Sequence, residues 1–322
     1  MPRTRVGLAC IAFALSTGLA GTRAQDTAPP PQQPPATQRP GEQPAFRTGV
    51  DIVSLNVTVV DGMNRYVTDL QRNDFNVFED GVKQDVSFFS QRQQPVALSL
   101  LLDSSASMET KLDTLQAAAN GFIQRLRPND LAQIVDFDSR VEIRQGFTSD
   151  HKALEGAVLQ MSSGGSTALH NAIYIALKEL GKIKAQSEDD VRRQAIIVFS
   201  DGEDTSSLVS FDEVLDLAKR SETSIYTIAL RGTDTRARGF REAEFVMRQL
   251  SQETGGRAFF PIKIEDLAGV YAQVADELAS QYTIGYTSRN GRRDGAWRRV
   301  IVQLGKPGMT PRTKRGYYAP AR

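Results

Sequence analysis

Residues 96–107 read VALSLLLDSSAS. Val96 to Leu102 is a nearly continuous apolar run, the composition of a β-strand covered on both faces. It drives straight into Asp103, Ser105 and Ser107. Small oxygen-bearing side chains in that pattern can cap a helix, attack a substrate or hold a metal ion. The run bears on the fold, and the choice among those three roles bears on the function.

Working outward, LAQIVDFD (131–138), QAIIVFSD (194–201) and SIYTIAL (224–230) repeat the same short apolar character. Helical spacing alternates with them. Leu112, Leu115, Ala119, Phe122 and Leu126 recur every three or four residues, as do Ile264, Leu267, Val270, Val274 and Leu278. Strand and helix in alternation predict an α/β fold, a doubly wound and mainly parallel sheet, over residues 95–280. Before it, Val53, Leu55, Val57 and Val59 alternate with Ser54, Asn56 and Thr58, the period of a strand with one wet face. DFNVFEDGVKQDVSFFS then reads as a hairpin turning at Asp80-Gly81. Residues 47–94 thus predict a small β unit. Residues 281–322 return to strand character in QYTIGYTS, WRRVIVQL and TKRGYYA, so the two ends of the chain are expected to pair in one β unit.

The amino terminus has a different character. MPRTR is cationic, VGLACIAFALSTGLA is apolar, and the segment ends on a small residue at Ala24. That is the build of a secretory signal peptide, residues 1–24, too short in its apolar part for a stable membrane span. It carries three of the 39 basic residues and none of the 38 acids, which leaves the remainder at a formal −2. The single cysteine, Cys10, leaves with it, so disulfides have no part in the exported chain. Half of the 14 prolines fall between Pro29 and Pro44. Residues 25–46 therefore read as an extended, semi-rigid linker with no core of its own. The expected location is periplasmic or secreted. Near-neutral charge gives no reason to expect a nucleic-acid partner.

In an open α/β sheet, ligands bind beyond the carboxyl ends of the strands. Three such places carry hard oxygen donors: DSSAS after the first strand, GGSTALHNA where Thr167 opens a helix, and FSDGED where Asp201 ends a strand. Asp103, Ser105, Ser107, Thr167 and Asp201 can converge with no sulfur or imidazole among them. Such donors suit Mg²⁺, Mn²⁺ or Ca²⁺ and disfavour zinc or copper. The competing readings are helix capping by Ser105, Ser107 and Thr167, and a turn at Asp201-Gly202. Asp136 and Asp138 read as a solvated strand end, and Arg231, Arg236, Arg238 and Arg241 as a solvated loop.

The pattern Asp-x-Ser-x-Ser, then a distant Thr, then a distant Asp, resembles the metal-ion-dependent adhesion site of von Willebrand factor A domains. The flanks, VDIVSLNVTVVDGMNRYVTDLQRNDFNVFEDGVKQDVSFF and YTIGYTSRNGRRDGAWRRVIVQLGKPGMTPRTKRGYYAP, resemble those of exported proteins related to that family in Acidobacteria. The resemblance implies one divalent cation, Mg²⁺ first. Ser105, Ser107 and Thr167 would approach it through hydroxyls, and Asp103 and Asp201 largely through water. Met108, Glu109 and Thr110 stand where some relatives carry acids for a second cation.

Catalysis has little to work with. Only His151 and His170 are present, and no Gly-x-Ser-x-Gly turn or phosphate-cradling loop follows a strand. The reading is therefore an exported, non-enzymatic binding module for adhesion or scaffolding, whose cation captures an Asp or Glu carboxylate of a partner protein. Two alternatives stand beside it: a structural envelope scaffold with a loop-stabilising metal, and a metal-dependent hydrolase.

Overall fold

From the amino-terminal side the strands and helices are β1 (Ile52–Asp61), β2 (Phe75–Glu79), β3 (Val82–Gln84) and β4 (Val86–Ser90). The alternating region follows: β5 (Val96–Asp103), α1 (Leu112–Ile123), β6 (Leu131–Phe137), β7 (Val141–Thr148), α2 (His151–Leu159), α3 (Leu169–Leu180), β8 (Arg193–Ser200) and α4 (Phe211–Arg220). It continues through β9 (Thr223–Ala229), α5 (Arg238–Thr254), β10 (Ala258–Phe259) and α6 (Leu267–Ser280). Four strands close the chain: β11 (Tyr282–Thr287), β12 (Trp297–Leu304), β13 (Met309–Arg312) and β14 (Gly316–Tyr318). This computed structural model describes residues 52–183, 191–201, 203–230 and 238–321, all within the unit Gly49–Arg322. The expected signal peptide and linker, residues 1–24 and 25–46, lie outside the described residues.

The central sheet has the order β10-β9-β8-β5-β6-β7. Its neighbours run parallel except at the β6–β7 edge, which is antiparallel. Successive side chains of a strand point to opposite faces, and β5 divides its apolar residues accordingly. Leu98, Leu100 and Leu102 pack with α1, α2 and α6, while Ala97 and Leu101 pack with α3, α4 and α5. That two-sided burial is why the strand shows no alternation in sequence. The fold is the α/β, doubly wound, mainly parallel architecture expected. The antiparallel edge strand β7 went unseen in the sequence because its residues are mostly half-exposed and polar.

Strand order reverses at β5. β6 and β7 lie on one side, β8 to β10 on the other, so the carboxyl ends of β5 and β8 flank the switch point where such sheets bind ligands. Asp103 ends β5, and Ser200, followed by Asp201, ends β8.

The two segments flanking the α/β region, residues 52–90 and 282–318, form a second body of two antiparallel sheets, β13-β1-β11-β4 and β14-β12-β2-β3. Between them lies a core that includes Leu55, Val57, Val77, Tyr282, Ile284 and Val302. Asp80 (φ 47°) and Gly81 (φ 83°) make the two-residue turn between β2 and β3, with both central residues left-handed as a type I′ hairpin requires. The expected hairpin ends there. β4 crosses to the other sheet and pairs with β11, because Phe89 packs against Phe75 and Tyr282, with ring centroids 5.6 and 5.8 Å away. The wet face expected for β1 is also corrected. Ser54 and Asn56 are half-buried, and Thr58 is buried, its hydroxyl donating to Glu277 across 3.4 Å.

Glu277, on α6, joins the two bodies. Its carboxylate accepts from Tyr226 of β9 (2.9 Å) and pairs with Arg312 of β13, and it is fully buried. A buried carboxylate is tolerable only when its lone pairs are used. Removing one member of such a set strands the others. Glu277→Ala should lower unfolding free energy by about 3–5 kcal/mol, read as a lower urea midpoint. An unchanged midpoint would show that the network holds nothing together.

Candidate functional site

The site is built from three loops at the switch point. Asp103 is fully buried, and its two carboxylate oxygens are held separately. Oδ1 accepts the Ser105 backbone N–H at 2.8 Å, and Oδ2 accepts the Ser200 hydroxyl at 2.5 Å. Burial pushes its pKa up to about 6, against hydrogen bonds from Ser105 and Ser200 that pull it down, with the nearby Asp201 charge adding to the rise.

Ser105 and Ser107 do not cap a helix. A single 3₁₀ turn spans Ala106–Met108, with no side-chain cap from Ser105, and α1 begins only at Leu112. The two hydroxyl oxygens lie 3.1 Å apart, and that of Ser107 donates to Asp201 Oδ1 at 2.7 Å. Thr167 caps nothing either. α3 begins at Leu169 after Ala168, which makes no side-chain cap. Thr167 is buried, and its backbone exchanges hydrogen bonds with Thr205: N–H to Thr205 Oγ1 at 3.0 Å, and Thr205 N–H to its carbonyl at 2.9 Å. Its own hydroxyl makes no hydrogen bond among the described residues.

Backbone bonds tie these loops together. Gly164 N–H donates to Ser104 O at 2.8 Å and Ala106 N–H to Gly165 O at 3.1 Å. Gly165, at φ 72°, is needed there, since a Cβ would fall 2.9 Å from Ser139 Oγ. The structure thus links Asp103 and Ser105 to each other, and Ser105, Ser107 and Asp201 in one hydrogen-bonded chain. Thr167 sits on the adjoining loop, joined through backbone rather than side chain.

Two features were not foreseen. Lys111 stands four residues past Ser107, and its ammonium pairs with Asp201 Oδ2. It occupies the N-cap of α1, where the helix dipole disfavours a cation. That misplaced charge was the sequence signal available. Asp136 is the second. Rather than a solvated strand end it is buried, accepting the Ser104 hydroxyl at 2.5 Å and pairing with Arg144 at 2.8 Å. Asp138 takes a turn role, accepting the Arg140 N–H at 2.7 Å. Of the four arginines after β9, Arg231, Arg236 and the Arg238 side chain lie outside the described residues, and Arg241 is exposed.

Residues 98–203 match the family model for the von Willebrand factor type A domain. Calcium-activated chloride channel regulator 1 of Bos taurus is 28% identical over 211 residues, covering 63% of this chain and 22% of that protein. An uncharacterized protein of Synechocystis, sll0103, is 32% identical over 115 residues, covering 35% of this chain and 26% of its own length. This chain therefore spans about a quarter of the curated relatives it matches. Among solved structures, a von Willebrand factor type A protein from Catenulispora acidiphila aligns with TM-score 0.50 at 11% identity, over 85% of this chain and 76% of that one. Residues 98–203 thus match a von Willebrand factor type A domain, and the five expected residues fall within that span, on the switch-point loops.

The raised Asp103 pKa has a stability consequence. The folded state holds its proton up to about pH 6, whereas an unfolded aspartate releases it near 3.8. Between those values the folded state binds more protons, so this group's contribution to stability falls as pH rises from about 4 to 6 and is level above. At about 1.4 kcal/mol per pKa unit the loss is on the order of 3 kcal/mol. In EDTA, Asp103→Asn should flatten that slope and raise the melting temperature at pH 7.5. A slope between pH 4 and 6 that persists in the variant would assign it to another group.

Proposed function

We propose that this protein is an exported binding module that holds one divalent cation, Mg²⁺ first, at Asp103, Ser105, Ser107, Thr167 and Asp201, and captures a carboxylate from a protein partner there. The observation that carries this reading is the use of the hydroxyls. The Ser107 hydroxyl bonds Asp201 and the Ser105 hydroxyl lies against it, neither capping a helix, and the hydroxyl of Thr167 makes no hydrogen bond among the described residues. The donor set is all oxygen, which suits Mg²⁺, Mn²⁺ or Ca²⁺. A cation held mainly by neutral hydroxyls keeps most of its charge and offers an electrophilic position to an Asp or Glu side chain.

Two observations weigh against the alternatives. A metal serving only to tie the loops would duplicate the backbone bonds that already join residues 104–106 to 164–165 and 167 to 205. For hydrolysis, a serine needs a base within hydrogen-bond reach. His170 instead lies 3.6 Å from Asp204 and against the Phe211 ring, and neither histidine side chain bonds a serine among the described residues. The signal-peptide pattern supports export. Among the described residues, no helix is long and apolar enough to cross a membrane.

Titration calorimetry tests the cation. Asp103→Ala should abolish Mg²⁺ and Mn²⁺ binding, and Lys111→Ala should raise the affinity several-fold by removing the ammonium that competes for Asp201. Unaltered affinity in Asp103→Ala would move the cation elsewhere.

Thr167 tests the partner step. At saturating Mg²⁺, Thr167→Ala should weaken binding of a carboxylate-bearing peptide more than it weakens binding of the cation, and Thr167→Ser should restore both. Peptide binding that survives EDTA would detach the interaction from this site.

A further inference from the structure

The carboxyl-terminal flank has a charge the rest of the chain lacks. Between residues 288 and 316 stand nine lysines and arginines and one acid, Asp294, in a chain whose net charge is +1. Most of these cations are matched from elsewhere in the fold. Arg298 pairs with Glu79, Arg312 with Glu277, Lys306 with Asp74, Arg315 with Glu253 and Arg289 with Asp85. Among the described residues, the side chains of Arg292, Arg299 and Lys314 have no hydrogen-bond or ion-pair partner.

Those three lie along one groove. A cavity of about 660 Å³ is lined by Arg292 and Lys314, together with Lys219 and Arg220 at the end of α4. A second, of about 710 Å³, is lined by Arg299 and Lys314 with Thr313, Arg315 and Trp297. Lys219 and Lys314 line both, so the two cavities meet at those side chains. One wall comes from the carboxyl ends of α4 and α5, the other from β12 to β14.

Lys314 is held at that junction by its backbone. Gly255 has φ +80°, and a Cβ on it would fall 2.5 Å from Lys314 N and 2.7 Å from Thr313 C, so the chain is pressed directly onto the glycine. The ammonium is half-buried, and desolvation lowers its pKa, with only Glu222 acting to raise it. Beside it the Thr313 hydroxyl is buried with no hydrogen-bond partner among the described residues. A partly desolvated cation fixed at the meeting point of two cavities is unfavourable unless an anion completes it.

From this placement we infer that the groove is a second ligand site, separate from the switch-point loops, which binds a linear polymer of phosphate groups. The unpaired cations are spaced along the groove rather than clustered, which fits a ligand of repeating charge. They rise from the β12–β14 wall and face Lys219 and Arg220 on the other, which pair with Glu253 and Asp216, and a tetrahedral phosphate presents oxygens in several directions, whereas a planar carboxylate is matched by a single fork. Nucleic acid is the poorer fit, because single strands bind by stacking bases on open aromatic rings. Here Lys219 lies 5.1 Å over the Trp297 ring, Trp297 meets Tyr318 edge-on at 5.0 Å, and the Arg220 guanidinium sits 4.0 Å over Tyr318.

The probe is short-chain inorganic polyphosphate, titrated into the protein without divalent cations, at low and at physiological salt. Wild type should bind, with affinity falling steeply as salt rises. Lys314→Met should lose at least tenfold while staying folded, since it removes a poorly solvated charge and keeps the length of the side chain. Arg292→Ala, fully on the surface, should lose several-fold. Asp201→Ala should bind as wild type does, which separates this groove from the cation site. Equal affinity in wild type and Lys314→Met, or no binding at low salt, would overturn the inference. Tighter binding of polyglutamate or of a single-stranded oligonucleotide at matched charge concentration would overturn the choice of ligand.

Discussion

Asp103 is the constraint on which the rest of the site depends. A carboxylate at the end of a central strand has left water entirely, and its two oxygens are held in place by a backbone N–H and by the Ser200 hydroxyl. The first bond shapes the loop that presents Ser105 and Ser107. The second bonds β5 to β8 across the point where strand order reverses. Asp201 then stands next to Ser200, close enough for its charge to raise the Asp103 pKa. Lys111 and the Ser107 hydroxyl answer the Asp201 charge, so the loops are organised around negative charge.

The flanking strands do for the domain what a disulfide does in many exported proteins. No cysteine is present beyond Cys10, and the strands flanking the α/β region are secured by sheet pairing and by buried polar groups. Glu277 ties α6 to β9 and β13. Glu79 does the same inside the second body, accepting from Tyr286 at 3.0 Å, Tyr317 at 2.9 Å and Ser288 at 2.6 Å, and pairing with Arg298. Both acids serve as hubs, and each loses its hydration to hold strands that lie far apart in sequence.

Much of this was legible in the sequence, and the parts that were not share a cause. Buried parallel strands announce themselves as apolar runs, so β5, β6, β8 and β9 were plain, and with them the strand ends that carry Asp103 and Asp201. Side-chain direction was not. Nothing in DSSAS says whether a serine turns back to cap α1 or forward to Asp201, because both fates need the same residue types. Asp136 was misjudged for a related reason: a terminal aspartate looks solvated until Arg144, eight residues on along the returning edge strand, covers it. Lys111 lay in plain view, and only its partner across 90 residues makes it meaningful. The crossing of β4 to the second sheet depends on aromatic contacts with Tyr282, which no local pattern records.

The pairing of β1 has a consequence for how the chain reaches this state. Its partners are β11 and β13, with Ile52 opposite Thr287 and Thr58 opposite Arg312. The first strand of the folded region to be synthesised therefore waits for nearly the last. Until β11 to β13 are made, Leu55, Val57 and Val59 form an apolar face without its full cover. Contacts of such long sequence separation slow the search for the native state and prolong exposure to aggregation. The α/β region is closed by contacts of shorter sequence separation than those that join β1 to β11 and β13. The long-range pairing that slows folding therefore belongs to the flanks rather than to the region that carries the candidate site.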